Sequence, residues 1–151
     1  TLISHTREDN QKRKMYSKFL KSKKIENKVL FLGFLDFKKL PDYYSIANLY
    51  LEPGINRSMS LSSKEANACG TPSVRGEIGT EDTIDGFTGI LTSSTDEKVL
   101  ANDIIKLLSS KEEINTLGKN AREYVLKNYT WDAVSKRIND SINNLPMDQE
   151  K

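Results

Sequence analysis

Leu49-Tyr50-Leu51, the stop Glu52-Pro53-Gly54, the segment Ser60-Leu61-Ser62-Ser63-Lys64-Glu65-Ala66-Asn67-Ala68 with Gly70 behind it, and Pro72-Ser73-Val74 follow one another along the chain. The first is a short apolar strand halted by a Pro-Gly pair. Ser60 to Ala68 reads as a helix, and Gly70 is a good C-terminal stop for it. Pro72-Ser73-Val74 is a second short strand. Strand, helix and strand in this order form a unit whose two strands lie parallel in one sheet.

The flanks extend the same alternation. Thr1-Leu2-Ile3-Ser4 reads as the tail of a strand, and Glu8 to Lys23 as a helix with Met15, Tyr16, Phe19 and Leu20 on one stripe,. Lys28-Val29-Leu30-Phe31-Leu32-Gly33-Phe34 is a continuous apolar run, which suits a parallel strand covered on both faces,. Pro41 opens a short helix through Tyr43, Tyr44, Ile46 and Ala47,. After a turn at Asp85-Gly86 comes the strand Gly89-Ile90-Leu91-Thr92, and from Asp96 three amphipathic segments complete the chain. The second of these starts on the capping box Ser110-Lys111-Glu112-Glu113, the third at Thr130,. The expectation is an α/β fold: a Rossmann-like, doubly wound parallel sheet with a long helical C-terminal tail. Residues 1–145 are expected to form one domain whose first strand is missing, with a frayed polar tail at 146–151.

Composition excludes several classes. In 151 residues, 36% hydrophobic and 8% aromatic, there is material for a core, so general disorder is excluded,. Lys+Arg number 23 against 21 Asp+Glu, a net charge of +2, which argues against a nucleic-acid binder,. No apolar run approaches the ~20 residues that span a bilayer, and no signal peptide is seen. Cys69 is the single cysteine and His5 the single histidine, so a disulfide framework and a His- or Cys-based metal cluster are excluded,. A soluble cytoplasmic domain is expected.

In a doubly wound fold, ligands sit beyond the carboxyl ends of the strands, at helix N-termini. The loop from Glu52 to the helix at Ser60 is the richest of these. Small residues there let backbone N–H groups approach a phosphate, and the helix dipole favours an anion. Glu65 lies about one helical turn inside. Two roles are open to it: closing a capping box with Ser62, or accepting hydrogen bonds from vicinal hydroxyls such as those of a ribose. Arg57 is either a solvated charge or a group facing that loop.

Several blocks, in order, resemble the retaining GT-B glycosyltransferases of family 4. Ser60 to Val74 resembles the "LEAMACGTPVV" block, and Val29 to Gly33 the "V-x-F-x-G" strand. Tyr43 to Leu51 is similar to "YY-x-x-AD-x-x-x-x-P", and Glu81 with Asp85 to Leu91 to "PE-x-x-x-DG-x-TG-x-L". Leu117 to Arg122, followed by Tyr129-Thr130-Trp131, matches "LG-x-x-AR…YTW". The resemblance implies the C-terminal, donor-binding half of a GT-B fold. On it, Glu65 holds the donor ribose, the loop Ser58-Met59-Ser60-Leu61 meets the sugar and diphosphate, and Gly33 and Phe34 pass the nucleobase. The implied partners are a UDP-, GDP- or ADP-sugar and a glycan or lipid-linked acceptor. The acceptor would be held by an absent N-terminal domain, through which peripheral membrane association would also run. No cofactor and no metal are implied.

Departures from the pattern are specific. Arg57 stands where the family has its first glutamate, Ser58 and Ser60 replace two glycines, Thr80 precedes Glu81 in place of proline, and Asn67 replaces methionine. A guanidinium can pair diphosphate oxygens in a fork but cannot accept a hydrogen bond from a sugar hydroxyl. Arg57 therefore raises a second expectation, a catalytically degenerate binding subunit. The phosphate-binding Arg and Lys of the family are expected upstream of Thr1, so the 151-residue piece alone is expected to be inactive.

The remaining candidates read as structural. Lys21-Ser22-Lys23-Lys24 is a solvated basic face, and His5 is open to two readings, an exposed turn residue or one that points into the cleft. Tyr43, Tyr44 and Tyr50 are core and rim, and Glu77, Glu81 and Asp82 specify no metal site. Trp131, Val134, Ile138 and Ile142 form an apolar stripe. It packs on this domain or, by the resemblance, is exposed in part where it crosses to the N-terminal one.

Overall fold

The computed structural model describes residues 2–4, 10–54, 59–76, 83–93 and 95–144. The chain divides into two compact units, Thr1–Leu40 and Pro41–Lys151. In the first, β1 (Leu2–Ser4) runs parallel to β2 (Val29–Phe31), with Leu2 opposite Val29 and Ser4 opposite Phe31. Helix α1 (Asn10–Ser22) connects them. The apolar run read as a strand over Lys28–Phe34 pairs only over Val29–Phe31. Residues Glu26–Lys28 turn as a 3-10 helix, and Gly33 takes a left-handed φ of 66° that no extended strand allows,. Met15 and Phe19 of the α1 stripe are exposed, and so is every residue from Lys21 to Lys24, as a solvated basic face requires.

The second unit begins with the body of α2 (Leu40–Ile46), where Pro41 sits in the first turn and its missing N–H costs nothing,. Strands β3 (Tyr50–Glu52), β4 (Ser73–Gly76) and β5 (Gly89–Thr92) form a parallel sheet in that order. Helix α3 (Leu61–Ala68) links β3 to β4, and α4 (Glu97–Leu108), α5 (Lys111–Asn128) and α6 (Trp131–Asn143) follow the sheet. The three expected C-terminal segments are these three helices, capped by Asp96, Ser110 and Thr130, whose side chains accept backbone N–H bonds,. The parallel sheet and helices make the α/β class expected. The frayed tail expected at 146–151 lies outside the described residues.

β3 runs one residue later than the apolar run Leu49–Leu51, and β4 continues past Val74, so Glu52 and Arg75 are strand residues. They lie directly opposite one another in the register. Because successive side chains alternate across a strand, Leu51, Val74 and Ile90 share one face and Tyr50, Glu52, Ser73 and Arg75 the other,. The apolar face carries the core, in which Val74, Leu107 and Leu117 are buried and Leu49, Leu51, Ile90, Leu100, Ile104 and Ile114 pack against them.

Helix α3 ends in a Schellman motif. Gly70 takes φ +84°, its N–H bonds to the Asn67 carbonyl at 2.9 Å, and the Thr71 N–H to the Ala66 carbonyl at 3.0 Å,. Arg122 of α5 donates to the Ala68 carbonyl, placing a cation at the negative end of α3,. Gly118 lies against the same turn, where a Cβ would overlap the Gly70 carbonyl oxygen and approach Pro72. The Gly and Arg of the Leu117-Gly118-x-x-Ala121-Arg122 block thus have a packing reason: α5 grips the end of α3. Gly118→Ala is expected to cost about 1–3 kcal/mol of stability, because backbone must move to admit the methyl. A urea titration of the variant against the parent checks this.

The α6 stripe points outward. Trp131 is 89% exposed, and Ile138 and Ile142 are also exposed, so the packing reading of these three gives way to exposure. Only Val134 is half-buried.

Candidate functional site

The side chains at the carboxyl end of β3 and the start of α3 form a polar array built from four short segments of the second unit. Ser60 caps α3, its side-chain oxygen accepting the Ser63 N–H at 3.1 Å. This corrects the capping box considered for Ser62 and Glu65. The cap lies two residues earlier, so Ser62 is already helical and Glu65 has no capping role. The sequence offers serine at 58, 60, 62 and 63, and pattern alone could not select among them.

The Glu65 carboxylate is instead taken up by a tyrosine. The Tyr44 hydroxyl donates to Glu65 Oε2 at 3.2 Å, at the long end of the range for such bonds,. Tyr44 is reached from α2, and its ring packs edge-on to Tyr50 with centroids 6.2 Å apart and planes at 75°,. The Thr71 hydroxyl donates to the Tyr44 carbonyl and lies 3.5 Å from that of Ala47, satisfying acceptors at the end of α2,. Among the described residues, no other hydrogen bond reaches the Glu65 carboxylate.

Below this pair lies a second one. The Tyr50 hydroxyl donates to Glu52 Oε2 at 3.0 Å, and Arg75 Nη1 donates to the same oxygen. The Arg75 side chain is fully buried, and that of Glu52 keeps 29% of its exposure. A buried guanidinium needs a carboxylate within reach, and the register of β3 against β4 supplies it. Burial pushes the Tyr50 hydroxyl up from 10.0 to about 12; a hydrogen bond from Ser60 opposes the shift, and the Glu52 charge reinforces it. The Tyr44 hydroxyl is raised as well, first by burial, against a Ser62 hydrogen bond and together with the Glu65 charge.

A tyrosine whose folded pKa lies above its unfolded value holds its proton more tightly when folded. Its contribution to stability is complete below pH 10 and is lost as pH rises from about 10 towards about 12,. Stability of the parent is therefore expected to fall over that window, and Tyr50→Phe to flatten the fall. Denaturant midpoints measured across alkaline pH check this.

The expected site residues are distributed as follows. Ser60, Leu61 and Glu65 stand together at the start of α3, with Ser60 buried and Leu61 exposed. Met59 is exposed beside them, its sulfur 3.3 Å from Lys64 Nζ, and that ammonium lies 4.5 Å from the centre of the Tyr129 ring,. Gly33 and Phe34 belong to the first unit, where Phe34 is 82% exposed. Arg57 and Ser58 lie outside the described residues, as do His5, Glu77, Thr80, Glu81 and Asp82. Among the described residues no cluster of three or more His, Cys, Asp or Glu could hold a metal ion, and no helix is long and apolar enough to cross a membrane.

Four residues of the array were not legible as functional in the sequence. Tyr44 and Tyr50 read as core and rim, whereas both turn their hydroxyls onto carboxylates. Glu52 and Arg75 lie 23 positions apart and meet only through strand register. The one signal was a charged residue at each strand's C-terminal end, which is too common to single them out.

Residues 9–124 match the family "Glycosyl transferases group 1". The D-inositol 3-phosphate glycosyltransferase 2 of Catenulispora acidiphila is 30% identical over 118 residues, covering 77% of this chain and 27% of that protein. Among solved structures, sucrose-phosphate synthase from Thermosynechococcus elongatus superposes with a TM-score of 0.84 at 30% identity, over 95% of this chain and 38% of that one. Anabaena HepE in complex with UDP and glucose superposes with a TM-score of 0.84 at 22% identity, over 96% of this chain and 41% of that one. The chain thus spans about a quarter of the length of the first of these relatives and about two-fifths of the solved structures.

Proposed function

The chain belongs to the group 1 glycosyl transferases, and from that membership we propose that it is the C-terminal, donor-binding domain of a retaining GT-B enzyme of family 4. The reaction proposed is transfer of a hexosyl group from a UDP-, GDP- or ADP-sugar to a glycan or lipid-linked acceptor. The observation that carries this reading is Glu65: a carboxylate at the start of α3, one oxygen held by Tyr44, beside a buried Ser60 cap at the carboxyl end of β3. Such a carboxylate is disposed to accept two vicinal ribose hydroxyls, while the N-terminal end of α3 faces the diphosphate with its dipole. The fold shared with a UDP-bound protein supports the placement.

In this reading Met59, Ser60 and Leu61 border the sugar and diphosphate. The acceptor is held by a separate N-terminal domain, and closure of the two excludes water and orients the attack. No metal or resident cofactor takes part, and the enzyme works in the cytoplasm, at the inner face of the membrane where its acceptor is a lipid.

Calorimetric titration of UDP-, GDP- and ADP-sugars into the intact protein tests the reading, with saturable binding of one of them expected and absence of all three overturning it. A second reading, a degenerate binding subunit, is favoured by Arg57 in the place of an acid. Arg57→Glu separates the two. Transfer that is measurable in the parent removes the degenerate reading, whereas transfer that appears only in Arg57→Glu establishes it.

A further inference from the structure

We propose that Tyr44 is a positioning residue for Glu65, and that the Thr71 hydroxyl holds Tyr44 in place for that role. The proposal rests on the reading of Glu65 as the ribose acceptor and adds to it the group that aims the carboxylate. A glutamate on a helix surface has three rotatable bonds, and a carboxylate that must meet two neighbouring hydroxyls at once loses that freedom on binding. Tyr44 removes much of it beforehand. Its phenol donates to Oε2 of Glu65 at 3.2 Å, which leaves Oε1 and the second lone pair of Oε2 for a ligand,.

The direction of that bond is built in. An ionised carboxylate can only accept, so the phenol is the donor of the pair,. The ring is fixed in turn. It stands edge-on against Tyr50 at 6.2 Å, and the carbonyl of Tyr44 itself accepts the hydroxyl of Thr71, which is 2% exposed. Thr71 makes one of the two bonds of the Schellman turn that ends α3, so a residue that closes the helix bearing Glu65 also anchors the residue that aims Glu65. Thr71, Tyr44 and Glu65 are three separate points of the chain joined by two side-chain hydrogen bonds, and each bond reaches between different elements.

The experiment is a set of affinities in the intact protein, with UDP, GDP and ADP titrated in turn and then the 2′,3′-dideoxy form of whichever binds. Tyr44→Phe removes one oxygen and keeps the ring. It is expected to weaken the ribonucleotide about fivefold, because the carboxylate remains and only its prior ordering is lost, and to leave the dideoxy nucleotide unchanged. Glu65→Ala is expected to show the same selectivity more strongly, and Tyr44→Phe added to it to have no further effect. Thr71→Val is expected to follow Tyr44→Phe, and Thr71→Ser to restore the parent affinity. If Glu65→Ala weakens the ribonucleotide and Tyr44→Phe does not, positioning by Tyr44 is refuted while the ribose reading stands. Equal weakening of both nucleotides by Tyr44→Phe shows a role in folding the site and also refutes it. If Glu65→Ala leaves the ribonucleotide unchanged, the ribose reading falls, and the proposal with it.

Discussion

Glu65→Ala is expected to lower the affinity of the intact protein for its nucleotide-sugar about 30- to 100-fold, with the fold unaltered. Two hydrogen bonds from vicinal hydroxyls to one carboxylate are worth about 2–3 kcal/mol together after water has taken their place, and ~1.4 kcal/mol is a factor of ten. The fold survives because Glu65 has no capping role: α3 is closed at its start by Ser60 and at its end by the Gly70 turn and Arg122. Alanine is a better helix former than glutamate, so the helix gains slightly. Glu65→Gln, which keeps two acceptor lone pairs but no charge, should fall between the two. Calorimetry with the parent's preferred donor reads the effect, and an affinity within twofold of the parent would show that this carboxylate does not meet the ligand.

Glu52→Ala should destabilise the second unit by about 3 kcal/mol, the largest stability effect expected of a single substitution here. The substitution takes from a fully buried guanidinium a carboxylate that faces it in register, and breaking a buried pair costs about 3–5 kcal/mol because the remaining charge stays desolvated,. The value lies at the low end because Glu52 retains some contact with water. Glu52→Gln keeps an acceptor for Arg75 and for the Tyr50 hydroxyl and should cost about half as much. Arg75→Met with Glu52→Leu removes both charges and is expected to restore most of the loss, since a buried pair and a packed apolar pair of similar volume are often close in stability. Urea midpoints of the three variants order the effects, and a double variant less stable than Glu52→Ala would show that the pair contributes net stability of its own.

These two residues illustrate how differently parts of the site could be read. Glu65 was legible because it follows a strand stop, sits one turn into a helix and belongs to a block with specific neighbours, all within about 15 residues. Its two candidate roles could not be separated locally, since Ser62-x-x-Glu65 satisfies the capping pattern as written. The folded chain separates them by placing the cap on Ser60. Gly118 and Arg122 were legible as a motif without a reason. Their reason is a contact across about 50 positions of sequence, where α5 meets the end of α3,. Glu52 and Arg75 were not legible at all, because strand register is a property of two segments jointly. A shift of one residue would have turned each to the opposite face. Tyr44 and Tyr50 were placed on the right elements but read only as packing groups, because helical and strand spacing locates a ring and says nothing about its hydroxyl.

Local chemistry along the chain was sufficient for the class of fold. Apolar runs of strand length, alternating with helical stripes and closed by Pro53-Gly54, Gly70 and Asp85-Gly86, admit a parallel α/β arrangement and little else, because propensity, periodicity and turn chemistry act over a few residues and are written in order. It was also sufficient to point at the loop before α3. The pairings that give that loop its chemistry are of another kind. Tyr44 with Glu65, Tyr50 with Glu52, Glu52 with Arg75 and Thr71 with the end of α2 depend on how side chains are turned and, in three of the four, on contacts between different elements. They exist only once register and helix packing have brought the side chains within about 3 Å, the range over which a hydrogen bond acts. Periodicity carries no information at that distance, and the folded chain does.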